Sequence, residues 1–112
     1  MSTVFITQEN HRIDFSAAEL HGDIKFITAQ EFMSINGAET NDRILAQMKE
    51  KLRKFDYQDD SLLLSGNPIF MMHCVVYIFH VLQVPAIRIL HWNGQFKKYN
   101  KYILNPSDLA NL

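Results

Sequence analysis

Alternating apolar and polar positions predict strands near the amino terminus. Thr3 to Thr7 and Asp23 to Thr28 alternate and are rich in β-branched and aromatic residues, which is typical of half-buried strands. Between them, Ser16 and Glu19 have the spacing of a helix capping box, and Gly22 is placed to end a short helical turn. The pattern therefore predicts a strand, a helical turn and a second strand.

Two longer helical patterns follow, and they differ in polarity. Asn41 to Phe55 places apolar side chains on one face and charged ones on the other, which is typical of an amphipathic helix that covers one side of a sheet. Pro68 to Gln83 is apolar on nearly every face, so we expect it to contact the sheet and also the first helix or another subunit. A capping pattern at Thr28 to Glu31 predicts one more short helix, to about Met33.

The second half of the chain predicts a crossover and a hairpin. Ser61 to Ser65 is a short apolar run that predicts a central strand, and Ala86 to Trp92 predicts the strand after the apolar helix. Asn93-Gly94 indicates a hairpin turn and Phe96 to Leu104 the returning strand. We therefore predict a single α/β domain over residues 1–112, with a five-stranded mixed sheet, two main helices, one right-handed βαβ unit and a C-terminal β-hairpin.

Composition narrows the class of protein. The chain has 112 residues, of which 47% are hydrophobic and 21% charged, as in a globular domain. The apolar run Pro68 to Leu82 is shorter than the roughly 18–20 residues that a bilayer requires, and Met1 to Gln8 does not resemble a secretory signal. Cys74 is the only cysteine, which excludes an internal disulfide and a cysteine-rich zinc site. We expect a protein of the cytoplasm (the host cytoplasm if it is viral), with no membrane contact and no cofactor.

Charge is unevenly distributed, although the net charge is −1. Residues 1–60 contain eleven acidic and seven basic residues, whereas residues 61–112 contain four basic residues and only Asp108 as an acid. The basic half can face a negatively charged ligand, or the two halves can pair with each other or with a second copy. Both interpretations stay open.

The turn Ser65-Gly66-Asn67-Pro68 is a candidate anion site. It joins a predicted buried strand to a predicted helix, where free backbone N–H groups and the helix dipole favour a phosphate or carboxylate. Open α/β sheets bind ligands at this edge. The turn lacks the several glycines of a dinucleotide fingerprint and the lysine of a P-loop, so a plain capped turn is the alternative.

The predicted hairpin is a candidate nucleic-acid surface. Trp92, Lys97, Lys98, Tyr99 and Lys101 interleave basic groups with aromatic rings, which can follow a phosphate backbone and stack on bases. Alternation places Lys97, Tyr99 and Lys101 on one face of the returning strand. The alternative is an edge strand whose lysines prevent unwanted pairing.

The polar residues of the apolar helix do not form a metal site by themselves. His73, Tyr77 and His80 share one helical face, but the two histidines lie about 10 Å apart along the axis, too far to bind one zinc ion. We expect these side chains to hydrogen-bond with neighbours or line an interface, and we assign no metal ligand. A nucleophile formed by Cys74 and a histidine requires facing geometry, which spacing alone does not show.

The stretch from Leu62 to Lys98 resembles small uncharacterised phage proteins in its order of strand, Ser-Gly, x-Pro, apolar helix, strand and hairpin. It is more distantly similar to the small CRISPR-associated ring nucleases, which bind cyclic oligoadenylate. In that family a strand ends in Ser-Gly, Pro-Ile opens a helix and His-Cys follows. The matching residues are Ser65-Gly66, Pro68-Ile69 and His73-Cys74.

The same resemblance implies binding of such a ligand more than its cleavage. The family's activity depends on a histidine after the helix and an aspartate after the next strand. The corresponding positions hold Leu82-Gln83 and His91-Trp92, so both groups are missing.

These observations predict a small, non-enzymatic, phage-encoded accessory protein that binds a nucleotide or nucleic acid as a homo-oligomer. One alternative is a ring-nuclease-like enzyme or sponge that uses His73, His80 or His91. Another is a protein-interaction module, such as an inhibitor of host defence. No catalytic residue is assigned. The candidate ligand-binding residues are Ser65, Gly66, Asn67, Pro68, Arg88, Trp92, Lys97, Lys98, Tyr99 and Lys101.

Overall fold

A mixed sheet lies at the centre of the computed structural model, which describes residues 2–29 and 38–110. Within these ranges the sheet has five strands in the order β2-β1-β3-β4-β5. The strands are β1 (Thr3–Gln8), β2 (Asp23–Thr28), β3 (Ser61–Leu63), β4 (Ile87–Asn93) and β5 (Lys98–Leu104). The helical segments are a 3₁₀ helix (Ser16–His21), α1 (Ala38–Leu52), α2 (Pro68–Val76), a π-helical turn (Tyr77–Val81) and α3 (Ser107–Ala110).

The direction of each connection decides which face of the sheet it covers. Strands β1 to β4 are parallel, and β5 pairs antiparallel with β4. The chain moves one way from β1 to β2 and the other way from β2 to β3 and β4, and right-handed crossovers in opposite directions lie on opposite faces. Accordingly, the 3₁₀ helix packs on one face, and α1 and α2 pack on the other.

Alternation along the strands supplies a core to each face. In β1, Phe5 packs toward α1 and α2, whereas Val4 and Ile6 pack toward the 3₁₀ helix. In β3, Leu62 and Leu63 divide in the same way. The predicted α/β class, mixed sheet, βαβ unit and hairpin are therefore confirmed.

Strand β3 is shorter than the predicted Ser61 to Ser65. The backbone of Ser65 bonds to the side chain of Thr7 instead of forming backbone hydrogen bonds with β1. The hydroxyl of Thr7 accepts a hydrogen bond from the N–H of Ser65 at 2.7 Å and donates one to its carbonyl at 2.5 Å. The backbone groups of Ser65 are thus paired with a side chain of β1 instead of with its backbone. This contact ties the ends of β1 and β3 together.

The apolar helix is interrupted near its end. The N–H of Leu82 donates to the carbonyl of Tyr77 at 3.2 Å, which is the wider hydrogen-bond spacing of a π turn. Gln83, with φ of 55°, then ends the helical path. One side of the helix joins the core through Phe70 and Cys74. Its other side leaves large apolar side chains exposed, and these are Ile69, Met72, Val76 and Val81.

The hairpin turn is longer than the predicted Asn93-Gly94. Asn93 pairs with Lys98, so residues 94–97 form the turn. The Asn93 side-chain oxygen accepts hydrogen bonds from the N–H groups of Gln95 and Phe96, and Lys97 closes the turn with φ of 54°. Lys97 therefore lies in the turn instead of the strand.

The amino-terminal elements keep their predicted order with small shifts. The helical turn after β1 is a 3₁₀ helix whose N-cap residue, Phe15, makes no side-chain hydrogen bond. The Asp14 carboxylate accepts the Ser16 N–H at 2.9 Å. The amphipathic helix spans Ala38–Leu52, three residues earlier than the predicted Asn41 to Phe55. At its end, the N–H of Phe55 donates to the carbonyl of Leu52. The helix predicted to about Met33 lies mainly outside the described residues. No helix in the described part of the chain has the length and apolarity to cross a membrane.

Candidate ligand-binding cleft

The strand order creates a crevice at the carboxyl ends of β1 and β3. These strands are neighbours, but the connection after β1 leads to the face of the 3₁₀ helix and the connection after β3 leads to α2 on the other face. Ligands bind in α/β sheets at such a point of divergence. A cleft of about 930 Å³ opens here, on the side of the 3₁₀ helix. It is lined by residues 12–17, 63–66 and 89–92, together with Met71, Lys97 and Tyr99.

Contacts between β1 and the turn after β3 hold Gly66, which lines the cleft, in position. The side-chain oxygen of Gln8 accepts the N–H of Asn67 at 3.2 Å. Gly66 has φ of +92°, and a Cβ atom there would lie 2.6 Å from the Cβ and Cδ atoms of Gln8. Glycine at this position is therefore required both by the backbone angle and by the close approach of Gln8.

The amino terminus of α2 is capped by the side chain of Asn67. The Asn67 side-chain oxygen accepts the N–H of Ile69 at 2.8 Å and that of Phe70 at 3.3 Å. These two N–H groups, which were predicted from the sequence to be free for an anion, are therefore already hydrogen-bonded. The Ser65 hydroxyl is buried and has no hydrogen-bond partner within residues 2–29 and 38–110.

An aromatic pair forms one wall of the cleft. Trp92 of β4 and Tyr99 of β5 are cross-strand partners whose ring centroids are 4.9 Å apart at an angle of 62°. Tyr99 is buried, and its burial and the nearby charge of Asp14 raise the pKa of its hydroxyl. Trp92 remains 43% exposed, so its indole ring is accessible for stacking.

The charged groups of the cleft are mostly cationic. Arg12 and Lys97 line it, and Asp14 is the only carboxylate among the described lining residues. The N–H of Ser16 and then its hydroxyl hydrogen-bond with Asp14 and lower the pKa of this carboxyl group below its ordinary value. The cleft therefore presents two cations and one firmly ionised acid beside an exposed aromatic ring.

The structure brings together half of the residues that the sequence singled out. Asn67 and Pro68 follow directly at the start of α2. Lys101 pairs with Leu90 on the same sheet face as Tyr99, while Lys98 lies on the other face with its amine 5.8 Å from the centre of the Phe96 ring. The predicted residues that line the cleft are Ser65, Gly66, Trp92, Lys97 and Tyr99.

Arg88 lies elsewhere. It is the second residue of β4 and lies at the amino-terminal end of the parallel strands, whereas the cleft lies at their carboxyl ends. Its guanidinium donates to the carbonyl of Gln58 at 3.0 Å and to that of Asp60 at 3.4 Å. In this position Arg88 holds the turn before β3 in place.

Comparison with known proteins identifies a family to which this chain is related. A family model described as Phage Pam3 gp32-like protein matches residues 2–106. The chain belongs to this family. The prediction of a phage-type protein is thereby confirmed, whereas the ring-nuclease resemblance gains no support. No curated protein and no solved structure matches the chain.

The candidate nucleophile and histidines of this phage-family protein are dispersed. His91 lines the cleft, but His73 and His80 do not. Cys74 is fully buried under the sheet, and its burial raises the pKa of the thiol to about 12. The thiol therefore stays protonated near neutral pH and is a poor nucleophile. No three potential metal ligands cluster within the described ranges.

Sequence reasoning missed Arg12 and Asp14. Both lie in the connection after β1, far in sequence from the turn and hairpin that form the rest of the cleft. They join the site because β1 lies beside β3 in the sheet. The position just after the carboxyl end of β1 would have indicated them, once the strand order was known.

Proposed function

We propose that this phage-family protein is a non-enzymatic binding protein that takes a nucleotide, free or within a single-stranded nucleic acid, into the cleft. The observation that carries the proposal is an exposed indole ring, Trp92, in the same cleft as Arg12 and Lys97. The volume of about 930 Å³ is within the range of small-molecule sites, roughly 300–1,000 Å³.

The base and the phosphate of a nucleotide each have a suitable group in the cleft. A base can stack on Trp92, and base–aromatic stacking contributes about 1–3 kcal/mol. Arg12 and Lys97 supply positive charge for a phosphate. We place the phosphate at these two side chains, beside the Ser65-Gly66 turn, because Asn67 already uses the N–H groups of Ile69 and Phe70.

The chemistry of the lining favours binding over catalysis. General acid–base catalysis is most effective when the pKa of the group lies near the working pH. The pKa of Asp14 is lowered from 3.8, and the described lining holds one histidine, His91, with no second carboxylate to act with it. Cys74 is buried away from it.

The only tryptophan of the chain reports directly on this site. Titration of the protein with 5′-mononucleotides and with short single-stranded oligonucleotides at low salt should give saturable quenching of Trp92 fluorescence. Because the phosphate contacts are electrostatic, the affinity for the oligonucleotides should fall as salt is added. Absence of binding at low salt, checked by equilibrium dialysis, would exclude the proposal.

Two neighbouring lysines provide a matched pair of variants. Lys97 lines the cleft and Lys98 does not, although both are exposed and next to each other in the chain. Lys97→Ala should weaken nucleotide binding about tenfold, the loss of one charge-assisted hydrogen bond. Lys98→Ala should change it by less than about twofold.

We also propose that two copies associate through the exposed side of α2. Ile69, Met72 and Val76 are 43%, 61% and 59% exposed and lie on one helical face. A symmetric dimer places a patch against itself, so a charged patch meets the same charge. Residues 61–87 contain no Asp, Glu, Lys or Arg, which makes this face compatible with a second copy.

Light scattering after size exclusion tests this association. The unmodified chain should have the mass of an oligomer, and Met72→Glu should give a monomer because it places like charges across the interface. Gln47→Glu adds the same charge on exposed α1 and should leave the mass unchanged. A monomer at all protein concentrations would contradict the association without affecting the nucleotide proposal.

A further inference from the structure

We infer that Asp14 makes the cleft selective for a guanine base. The inference rests on the proposed function, because it specifies which nucleotide the same cleft prefers. Asp14 and Trp92 line one cleft, so a base stacked on the indole can turn its hydrogen-bonding edge toward the carboxylate.

The selectivity follows from what a carboxylate can accept. An ionised carboxylate has two acceptor oxygens and no donor. The Watson–Crick edge of guanine presents two adjacent donors, N1–H and the 2-amino group, which match the two oxygens in a paired arrangement. Adenine and cytosine present one amino donor next to a ring-nitrogen acceptor, and uracil presents one N–H between two carbonyl groups. Each of these bases would place an acceptor against the carboxylate, which leaves a polar pair unsatisfied.

The carboxylate and the aromatic pair lie in the same cleft. The rings of Trp92 and Tyr99 are 4.9 Å apart, centroid to centroid. Burial and, to a smaller extent, the charge of Asp14 raise the pKa of the Tyr99 hydroxyl. Asp14, Trp92 and Tyr99 all line the cleft, so the carboxylate and the stacking ring belong to one site.

Ser16 holds the carboxylate ready for this role. Its N–H donates to Asp14 Oδ1 at 2.9 Å, and the hydroxyl of Ser16 adds a second hydrogen bond. Two ionised oxygens offer about four acceptor positions, so room for two further donors remains. The other charged groups of the lining, Arg12 and Lys97, are donors only and suit the phosphate.

Calorimetric titration with GMP, IMP, AMP, CMP and UMP tests the inference. GMP should bind about tenfold more tightly than AMP, CMP or UMP. IMP keeps N1–H but lacks the 2-amino group, so its affinity should fall between those of GMP and AMP. Asp14→Asn keeps an oxygen for the Ser16 N–H but adds a donor, and it should reduce the preference for GMP over AMP to less than about threefold.

A second acid serves as the matched control. Asp23→Asn makes the same chemical change at an exposed position outside the cleft lining, and the preference for GMP should be unchanged. Thermal unfolding shows that both variants are folded. Equal affinity for all five nucleotides, or an unchanged preference in Asp14→Asn, would overturn the guanine inference and leave the proposed function standing. Absence of binding by every nucleotide would overturn both.

Discussion

Gln8 and Gly66 contact each other where β1 and β3 end, and this contact joins the two segments that border the cleft. The Gln8 side chain accepts the N–H of Asn67, and it packs so closely on Gly66 that no Cβ atom fits there. The connection after β1 carries Arg12 and Asp14, and the turn after β3 carries Ser65. The shape of the cleft therefore depends on the packing of Gln8 against Gly66.

Gly66→Ala should destabilise the fold by about 2–3 kcal/mol, because it combines an unfavourable φ with an overlap on Gln8. The free energy of unfolding from urea titration measures this effect. Gly94→Ala is the control, since a Cβ there would meet only Trp92 Nε1 at an ordinary 3.7 Å. It should change the stability by less than about 0.5 kcal/mol. Equal effects of the two substitutions would contradict the close approach.

Trp92→Ala should weaken nucleotide binding about tenfold or more, because it removes the stacking surface. Calorimetry measures the affinity, since the fluorescent group is then absent. Phe96→Ala removes another exposed ring of the same hairpin, 65% exposed and outside the cleft lining. It should leave the affinity unchanged, and an equal loss in both variants would argue against stacking on Trp92.

Cys74 should resist thiol reagents in the folded protein. Burial raises its pKa to about 12, whereas an exposed thiol ionises near 9, so the folded state retains the proton over this range. This contribution to stability is complete below about pH 9 and is lost, by about 1.4 kcal/mol per pH unit, as the pH rises toward 12. Labelling with iodoacetamide at mildly alkaline pH should be slow in buffer and fast in concentrated guanidinium chloride. Rapid labelling of the folded protein would show that the thiol is accessible.

Arg88→Ala should reduce stability without reducing nucleotide affinity. Its hydrogen bonds to the carbonyl groups of Gln58 and Asp60 anchor the turn before β3, and their loss should cost about 1–2 kcal/mol. Arg53→Ala removes only a surface ion pair with Glu50 and should cost less than about 0.5 kcal/mol. A loss of affinity in Arg88→Ala as large as that in Lys97→Ala would instead support Arg88 as a ligand contact.

Local patterns predicted the elements of this fold better than their ends. The bounds of β2 agree with the alternation of Asp23 to Thr28, because a half-buried strand shows in its period. The end of β3 depends on the Thr7 hydroxyl, and the length of the hairpin turn depends on the side chain of Asn93. Such side-chain contacts to the backbone compete with the ladder and leave no periodic signal.

The candidate site was predictable only where its residues are close in sequence. Trp92, Lys97 and Tyr99 stand out as basic and aromatic residues of one hairpin. Arg12 and Asp14 look like ordinary loop residues, and only the placement of β1 next to β3 brings them into the cleft. That placement is a property of the whole sheet, which short-range patterns do not encode.

The most direct test of the central claim is to locate a bound nucleotide on the protein. Amide chemical shifts of the ¹⁵N-labelled chain, recorded during a titration with GMP, report on each backbone position separately. Binding in the cleft should shift the amides of residues 12–17, 63–66 and 89–99 and leave those of α1 unchanged. Shifts confined to α1 and the exposed side of α2, or no shifts at saturating nucleotide, would contradict the account.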